Sequence, residues 1–438
     1  MTTFEQSFRD SAQPTSRCRL ALRRVIGWGP ALISFAAALG CCLYFALRTY
    51  EVDLGVYLRL GGRYIFTPDL YSLGLGHTGL LFTYPPFAAL LFAPWQRLFS
   101  TVDAVQIGWT MCNLVALVAL LVLSLRLVRP EWTRARRWRL ALVLMLPALL
   151  LNPVLVTVGF GQVNLVVTLL VLWDLLGSRR IGPVRLPMGL ATGLAAAVKL
   201  TPIIFVPYLL LTRRFRAAFT CLATFLACGL VTFAISPASS RVYWTKALFD
   251  PARTATSVLT PGLGFISNQS LSGVASRLHH GDVSQFALAP VLLLVALCGL
   301  WLGSVAHRHS PMLGVLVCAS TCLLVSPVTW CHHMVWVVPA ILWFALAPDR
   351  PRAGPFIAGA VAVLFWSAPI WWVPHAKLLE LHLNAWQVVA GDSFFFAVVV
   401  FVGWVAYRFR RELPPQRARR PFSPPSASWP ALRPTARP

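Results

Sequence analysis

Acidic side chains are scarce in this chain: 14 Asp and Glu stand against 38 Lys and Arg in 438 residues, a formal net charge of +24. Lysine is scarcer still, confined to Lys199, Lys246 and Lys377, so nearly all the positive charge is arginine. The ten cysteines form no CxxC pair, and most fall in apolar runs (Cys41, Cys42, Cys228, Cys298, Cys318, Cys322), which supports neither a zinc site nor a disulfide framework. No DxD pair occurs, so no carboxylate clamp for a divalent metal is indicated. Charged residues of all kinds make up only 12% of the chain, while 57% is hydrophobic. With a mean hydropathy of +0.69, that is too little charge to cover a soluble domain of this size, and it indicates an integral membrane protein.

The first long apolar run, Trp28 to Leu47, follows Arg17, Arg19, Arg23 and Arg24 and has no small-residue cleavage site, so it reads as a retained span. Apolar stretches predict helices near 28–47, 104–126, 140–158, 164–177, 186–199, 201–212, 217–235, 287–306, 311–325, 333–347, 355–373 and 393–409. The expected fold is therefore an all-α polytopic bundle of about twelve transmembrane helices. The two runs within 186–212 are short and read as a tight helical hairpin. Residues 83–98, with two adjacent prolines, read as an interfacial helix. With both termini cytoplasmic, 28 of the 38 basic residues fall on the inner side, including the cluster Arg126, Arg129, Arg134, Arg136, Arg137 and Arg139. A spanning 83–98 would send that cluster outside.

The predicted organisation is a basic cytoplasmic N-terminus over 1–27, a membrane domain over 28–409, and a Pro/Arg-rich disordered cytoplasmic tail over 410–438. Basic residues at cytoplasmic helix ends suit anionic lipid headgroups. Nucleic acid is not an expected partner, since no basic stretch is interleaved with stacking aromatics in a soluble module.

On this topology the polar motifs collect on the outer side: EVDLGVY (51–57), FTYPPF (82–87), GFGQVN (159–164), VKLTP (198–202), SNQSLSGV (267–274), SPVTWCHH (326–333) and WWVPHAKLLELH (371–382). A carrier with alternating access places its site near the midplane between repeats. Chemistry gathered at one face suits an enzyme acting on something presented at the outer leaflet. Asp53 lies six residues beyond Leu47, where a carboxylate is either tuned as a general base or caps a helix in solvent. Lys199, between AAAV and LTPIIF, either meets a phosphate or snorkels to the interface. GFGQVN is a turn, yet Gln162 and Asn164 carry the amide donors and acceptors that sugar hydroxyls need. His332 and His333 are offset by about 100° if helical, so one faces a cavity while the other packs, which disfavours a zinc pair and suits one phosphate contact.

Taken as a set, VDLGVY with a later DLY, FTYPPFAALLF, GQVN, VKLTP, NQS and SPVTWCHHMVW resemble the polyprenol-phosphate-mannose-dependent α-(1→2)-mannosyltransferases of actinobacteria, glycosyltransferase family 87, over about residues 51–345. The resemblance implies a cofactor-free, metal-independent, inverting enzyme of GT-C architecture in the plasma membrane, with an extracytoplasmic active site. Its donor would be polyprenol-phosphomannose. Its acceptor would be a mannosylated glycolipid such as a phosphatidylinositol mannoside or lipomannan. Asp53 would be the base, and the functional imidazole would be His332 or His333, with a slight preference for His332. Asp69 of DLY stays outside the catalytic set. Lys199, Gln162, Asn164, Tyr84, Tyr57, Asn268 and Gln269 form the expected set for donor phosphate and sugar. The alternatives are a polyprenyl-phosphate arabinofuranosyl or other sugar donor, a flippase of lipid-linked sugars, and a noncatalytic envelope scaffold.

Overall fold

In hydrocarbon every backbone N–H and C=O has to be satisfied within its own segment, which is why the apolar runs of this chain fold as helices. The computed structural model describes residues 16–48, 51–98, 101–250, 253, 256–257, 260–281, 283–375 and 378–410. Most of the predicted cytoplasmic N-terminus before residue 16 and the predicted tail after 410 lie outside the described residues. In chain order the principal helices are α1 (Ser16–Arg48), α2 (Val102–Val128), α3 (Asn152–Gly159), α4 (Asn164–Leu176), α5 (Leu190–Val198), α6 (Phe205–Leu211), α7 (Phe215–Ile235), α8 (Gln285–His309), α9 (Pro311–Val325), α10 (Val337–Leu346), α11 (Gly354–Ser367) and α12 (Ser393–Phe409). The β structure among the described residues is three antiparallel pairs of two-residue strands and an isolated antiparallel bridge between Asn268 and Trp330.

Five helical segments among the described residues are long and apolar enough to cross a membrane: Trp28–Arg48, α2, α7, Phe286–His309 and Gly354–Trp371. The count rises to seven if the bent pairs α3–α4 and Ala385–Gly391–α12 each cross as one. That falls short of the twelve crossings expected from the apolar runs. The reason lies in the breaks. The predicted 140–158 helix is three pieces, Arg134–Val143, Met145–Leu149 and α3, broken at Leu144 and at Leu150–Leu151, each break followed within three residues by a proline, Pro147 or Pro153. At about 1.5 Å per residue such pieces are far shorter than a bilayer core. The predicted 201–212 helix likewise divides into a 3₁₀ turn, Thr201–Ile204, and α6. The stretch expected to lie at the interface, 83–98, forms two short helices, Pro86–Phe92 and Trp95–Leu98, each too short to span.

Helix starts follow local chemistry. Thr101 caps α2 by accepting from the Ala104 N–H at 3.2 Å, and Ser310 caps α9 ahead of Pro311, which needs no N–H partner in the first turn. The α8–α9 hairpin packs closely because Gly314 faces Gly303: a Cβ on Gly314 would sit 2.8 Å from the Gly303 carbonyl oxygen. Near the end of α4 the buried Asp174 carboxylate accepts from the Gly189 N–H at 2.9 Å, the Thr192 N–H at 3.0 Å and the Thr192 hydroxyl at 2.7 Å. An acid at the N-terminus of α5 meets its unpaired donors and so ties α4 to α5. From that anchored start α5 runs to Val198, and Lys199 follows it.

Candidate active site

Asp53 stands in the first turn of a short helix, Val52–Gly55, that runs on as a π-helical turn, Val56–Gly62. Two neighbours in the GFGQVN turn hold it. The backbone N–H groups of Asp53 and Leu54 both donate to the Phe160 carbonyl at 3.1 Å, and Gln162 Nε2 donates to Asp53 Oδ2 at 2.7 Å. Gly161, between them, has φ +68°, and a Cβ there would come within 2.6 Å of Leu54 Cβ and 2.7 Å of Glu51 Oε2. Trp109 Nε1 donates to the Gly161 carbonyl at 2.7 Å and anchors the turn to α2. This turn also reverses the chain between α3 and α4, by 118°.

The amide of Gln162 is used at both ends. Its Oε1 accepts from the Tyr84 hydroxyl and from the Tyr57 hydroxyl, each at 2.9 Å, and the two phenols are 2.8 Å apart. Tyr71 donates to the Tyr84 carbonyl at 2.9 Å and fixes the FTYPPF segment. Lys199 leaves α5 in an extended conformation, and its Nζ donates to Asn164 Oδ1 at 2.6 Å. The same ammonium lies 5.5 Å from the centre of the Tyr84 ring. Asn164 in turn donates from Nδ2 to the His332 carbonyl at 3.0 Å, which ties α4 to the SPVTWCHH segment.

Asp53, Tyr84, Gln162, Lys199, Trp330 and His333 line one cavity of about 440 Å³. Its remaining wall is largely apolar, with Leu80, Leu81, Ile203, Ile204, Leu248 and Val325, and also includes Tyr243, Asp250 and Arg253. Burial pushes the Asp53 carboxyl up to about 6, against the opposing pull of the Gln162 hydrogen bond and the Lys199 charge. Glu51, two residues earlier, is pushed up to about 7 by burial, with the Thr110 hydroxyl, which donates to Oε1 at 2.6 Å, pulling the other way. Among the described residues no three His, Cys, Asp or Glu side chains converge as metal ligands would.

Six of the ten expected site residues therefore meet around one space: Asp53, Gln162, Tyr84, Lys199 and His333 line it, and Asn164 lines a smaller adjoining cavity with Lys199 and His333. The other four do not. Tyr57 is fully buried behind Gln162. His332, the preferred imidazole from sequence, is buried with neither ring nitrogen hydrogen-bonded and packs edge-on against Phe160 and His333. Asn268 spends its Nδ2 on the Leu263 and Pro327 carbonyls and its Oδ1 on the Ser270 and Thr329 N–H groups. Gln269 binds the Ile266 and Gly391 carbonyls and accepts from the Phe395 N–H. Both amides are committed to backbone, so the NQS motif rivets loops together and has no hydrogen-bonding group turned to the cavity. The residues that sequence reasoning left out are Glu51, Phe160, Asp250 and Arg253. Only the pairing of two acids in EVD offered a signal for the first.

Fold and site together define a polytopic membrane protein with a mostly apolar cavity lined by the Asp53 and Asp250 carboxylates, the Lys199 ammonium and the Arg253 guanidinium. Residues 82–327 match the family described as glycosyltransferase family 87. The chain belongs to that family, and it is a glycosyltransferase. It is 35% identical, over 87% of its length and 91% of the relative's, to a polyprenol-phosphate-mannose-dependent alpha-(1-2)-phosphatidylinositol mannoside mannosyltransferase of Mycobacterium tuberculosis. It is 33% identical to the protein of the same name in Mycolicibacterium smegmatis, over 82% of this chain and 84% of that one. A third relative, a polyprenol-phosphate-mannose-dependent alpha-(1-2)-phosphatidylinositol pentamannoside mannosyltransferase of M. smegmatis, is 30% identical over 81% of this chain and 85% of its own length. No solved structure matches the chain.

Proposed function

We propose that the protein transfers mannose from polyprenol-phosphomannose to a mannosylated phosphatidylinositol acceptor, with inversion, at the outer face of the plasma membrane. The observation that carries this reading is a cavity whose wall brings the Asp53 carboxylate, held by Gln162, and the Lys199 ammonium together with a broad apolar lining. Relatives named for this donor and this class of acceptor, matching over most of the chain, support it. The surplus of basic residues in the segments assigned inside supports cytoplasmic termini and an outward-facing site, and a GT-C arrangement is what the family resemblance implies.

In this scheme an acceptor hydroxyl gives its proton to Asp53 as its oxygen attacks the anomeric carbon. The bond from that carbon to the phosphate oxygen breaks, and polyprenyl phosphate departs with the electron pair. A single displacement needs one base and no carboxylate nucleophile, and a β-linked donor then gives an α-linked product. Charge builds on the departing phosphate, where the Lys199 ammonium and the His333 imidazole line the cavity. The apolar wall suits a lipid-borne donor.

The test is transfer of radiolabelled mannose from polyprenol-phosphomannose to phosphatidylinositol mannosides by purified protein in lipid, with Asp53→Asn beside wild type. Product from wild type and a loss of at least about 10³-fold in the variant is expected. A folded Asp53→Asn protein with wild-type turnover would remove the base. A wild-type protein that uses an arabinosyl donor and ignores the mannosyl one would change the sugar.

A further inference from the structure

Gln162 and Tyr57 have no task in that displacement. We infer that the Phe160–Gly161–Gln162 turn, backed by Tyr57 and Tyr84, is a two-point clamp that positions Asp53 and reserves its Oδ1 for the incoming hydroxyl, so that Gln162 orients the base and does not bind sugar. The inference rests on Asp53 being the base.

The clamp has a backbone arm and a side-chain arm. Phe160 O holds the N–H groups of Asp53 and Leu54, and so fixes the first turn of the short helix. Gln162 Nε2 holds Oδ2, while Oδ1 makes no hydrogen bond among the described residues. The orientation of the Gln162 amide is not free. An ionised Asp53 only accepts, so the NH₂ end faces it, and Oε1 is left to receive a phenolic proton from Tyr84, with the Tyr57 hydroxyl equally close. A flipped amide would point its oxygen at Asp53 and its donors at two phenols. Tyr57 is out of reach of any substrate: it is fully buried, absent from the cavity wall, and its ring stacks on Phe92 with centroids 4.6 Å apart. Gly161 allows the close approach, since a side chain there would meet Leu54 and Glu51.

A donor held on one oxygen of a carboxylate favours its charged form, so the clamp sets the ionisation of Asp53 as well as its direction. The other titratable or charged groups around Asp53 are Glu51 on its own segment, Tyr57 and Tyr84, Lys199 at the end of α5, and His333, Asp250 and Arg253 on the cavity wall.

The experiment compares wild type, Asp53→Asn, Gln162→Met and Tyr57→Phe in the mannose-transfer assay, with kcat and KM measured across the acid limb of the pH profile. For Gln162→Met, kcat is expected to fall by roughly 10- to 100-fold with both KM values nearly unchanged. Its acid limb is expected to move up by about one pH unit. Tyr57→Phe keeps the stacked ring, and a smaller shift in the same two quantities is expected, about threefold in kcat. A rise in KM with an unmoved acid limb would assign Gln162 to sugar binding and overturn the clamp. So would a Tyr57→Phe protein identical to wild type in kcat and pH profile, a result that stands even if Gln162→Met fails to fold. An active Asp53→Asn protein is a separate outcome: it removes the base itself, and the clamp with it.

Discussion

His332 and His333 are adjacent in sequence and opposite in situation. His333 lines both cavities beside Lys199, while His332 is buried with both ring nitrogens unpartnered and only its carbonyl engaged, by Thr157 and Asn164. A buried polar ring without partners lowers stability relative to an apolar side chain of similar volume. His332→Leu is therefore expected to keep transfer activity within about twofold of wild type and to melt at the same or a higher temperature. His333→Ala is expected to lose kcat on the order of 10- to 100-fold while remaining folded. Mannose transfer and thermal unfolding of the two variants in the same lipid check this. The reverse pattern would return the functional role to His332.

The short helix Leu271–Leu278 and the start of α12 are joined by a buried ion pair, Arg277 with Asp392. Arg277 also donates to the carbonyls of Gly264 at 3.2 Å, Phe265 at 3.0 Å and Asn268 at 2.9 Å, so one guanidinium serves two elements. Removing one partner of such a pair strands the other charge in a dry site. Arg277→Met is expected to cost about 3–5 kcal/mol, and Arg277→Met/Asp392→Asn to recover part of that loss, read as unfolding midpoints in detergent. Much of this level of structure was not legible in the sequence. An NQS motif reads alike whether its amides meet a sugar or backbone, and the partners of Gln269, Gly391 and Phe395, are more than 120 residues away. The residues that attend the helix breaks, Pro147, Pro153 and Gly161, were visible in the sequence, but the bends and the shortened helices depend on tertiary packing. Legible in full was the convergence of EVDLGVY, FTYPPF, GQVN and VKLTP, because each polar group in an apolar chain has few places to go.

Across the molecule, the acid that carries the proposed chemistry is held where it is least comfortable. Burial raises the Asp53 carboxyl to about 6, with Gln162 and Lys199 limiting the rise. A base acts only when deprotonated, so turnover is expected to climb with pH through about 6 and to be lost below it, in a single-proton acid limb of kcat/KM. The stability effect has the opposite sign. A carboxyl whose folded value lies above its unfolded one binds its proton more tightly when folded, so folding is favoured at low pH and that advantage is lost as pH rises through about 6. Asn at position 53 keeps an oxygen to accept from Gln162 Nε2 and carries no charge to bury. Asp53→Asn is therefore expected to melt at an equal or higher temperature than wild type at pH 7.5, and the difference is expected to shrink at about pH 5, where the wild-type carboxyl is itself neutral. Unfolding midpoints of the two proteins in one lipid at both pH values decide it. A variant that melts lower at pH 7.5 would mean that the ionised carboxylate holds the clamp together, and that activity and stability are served by the same charge.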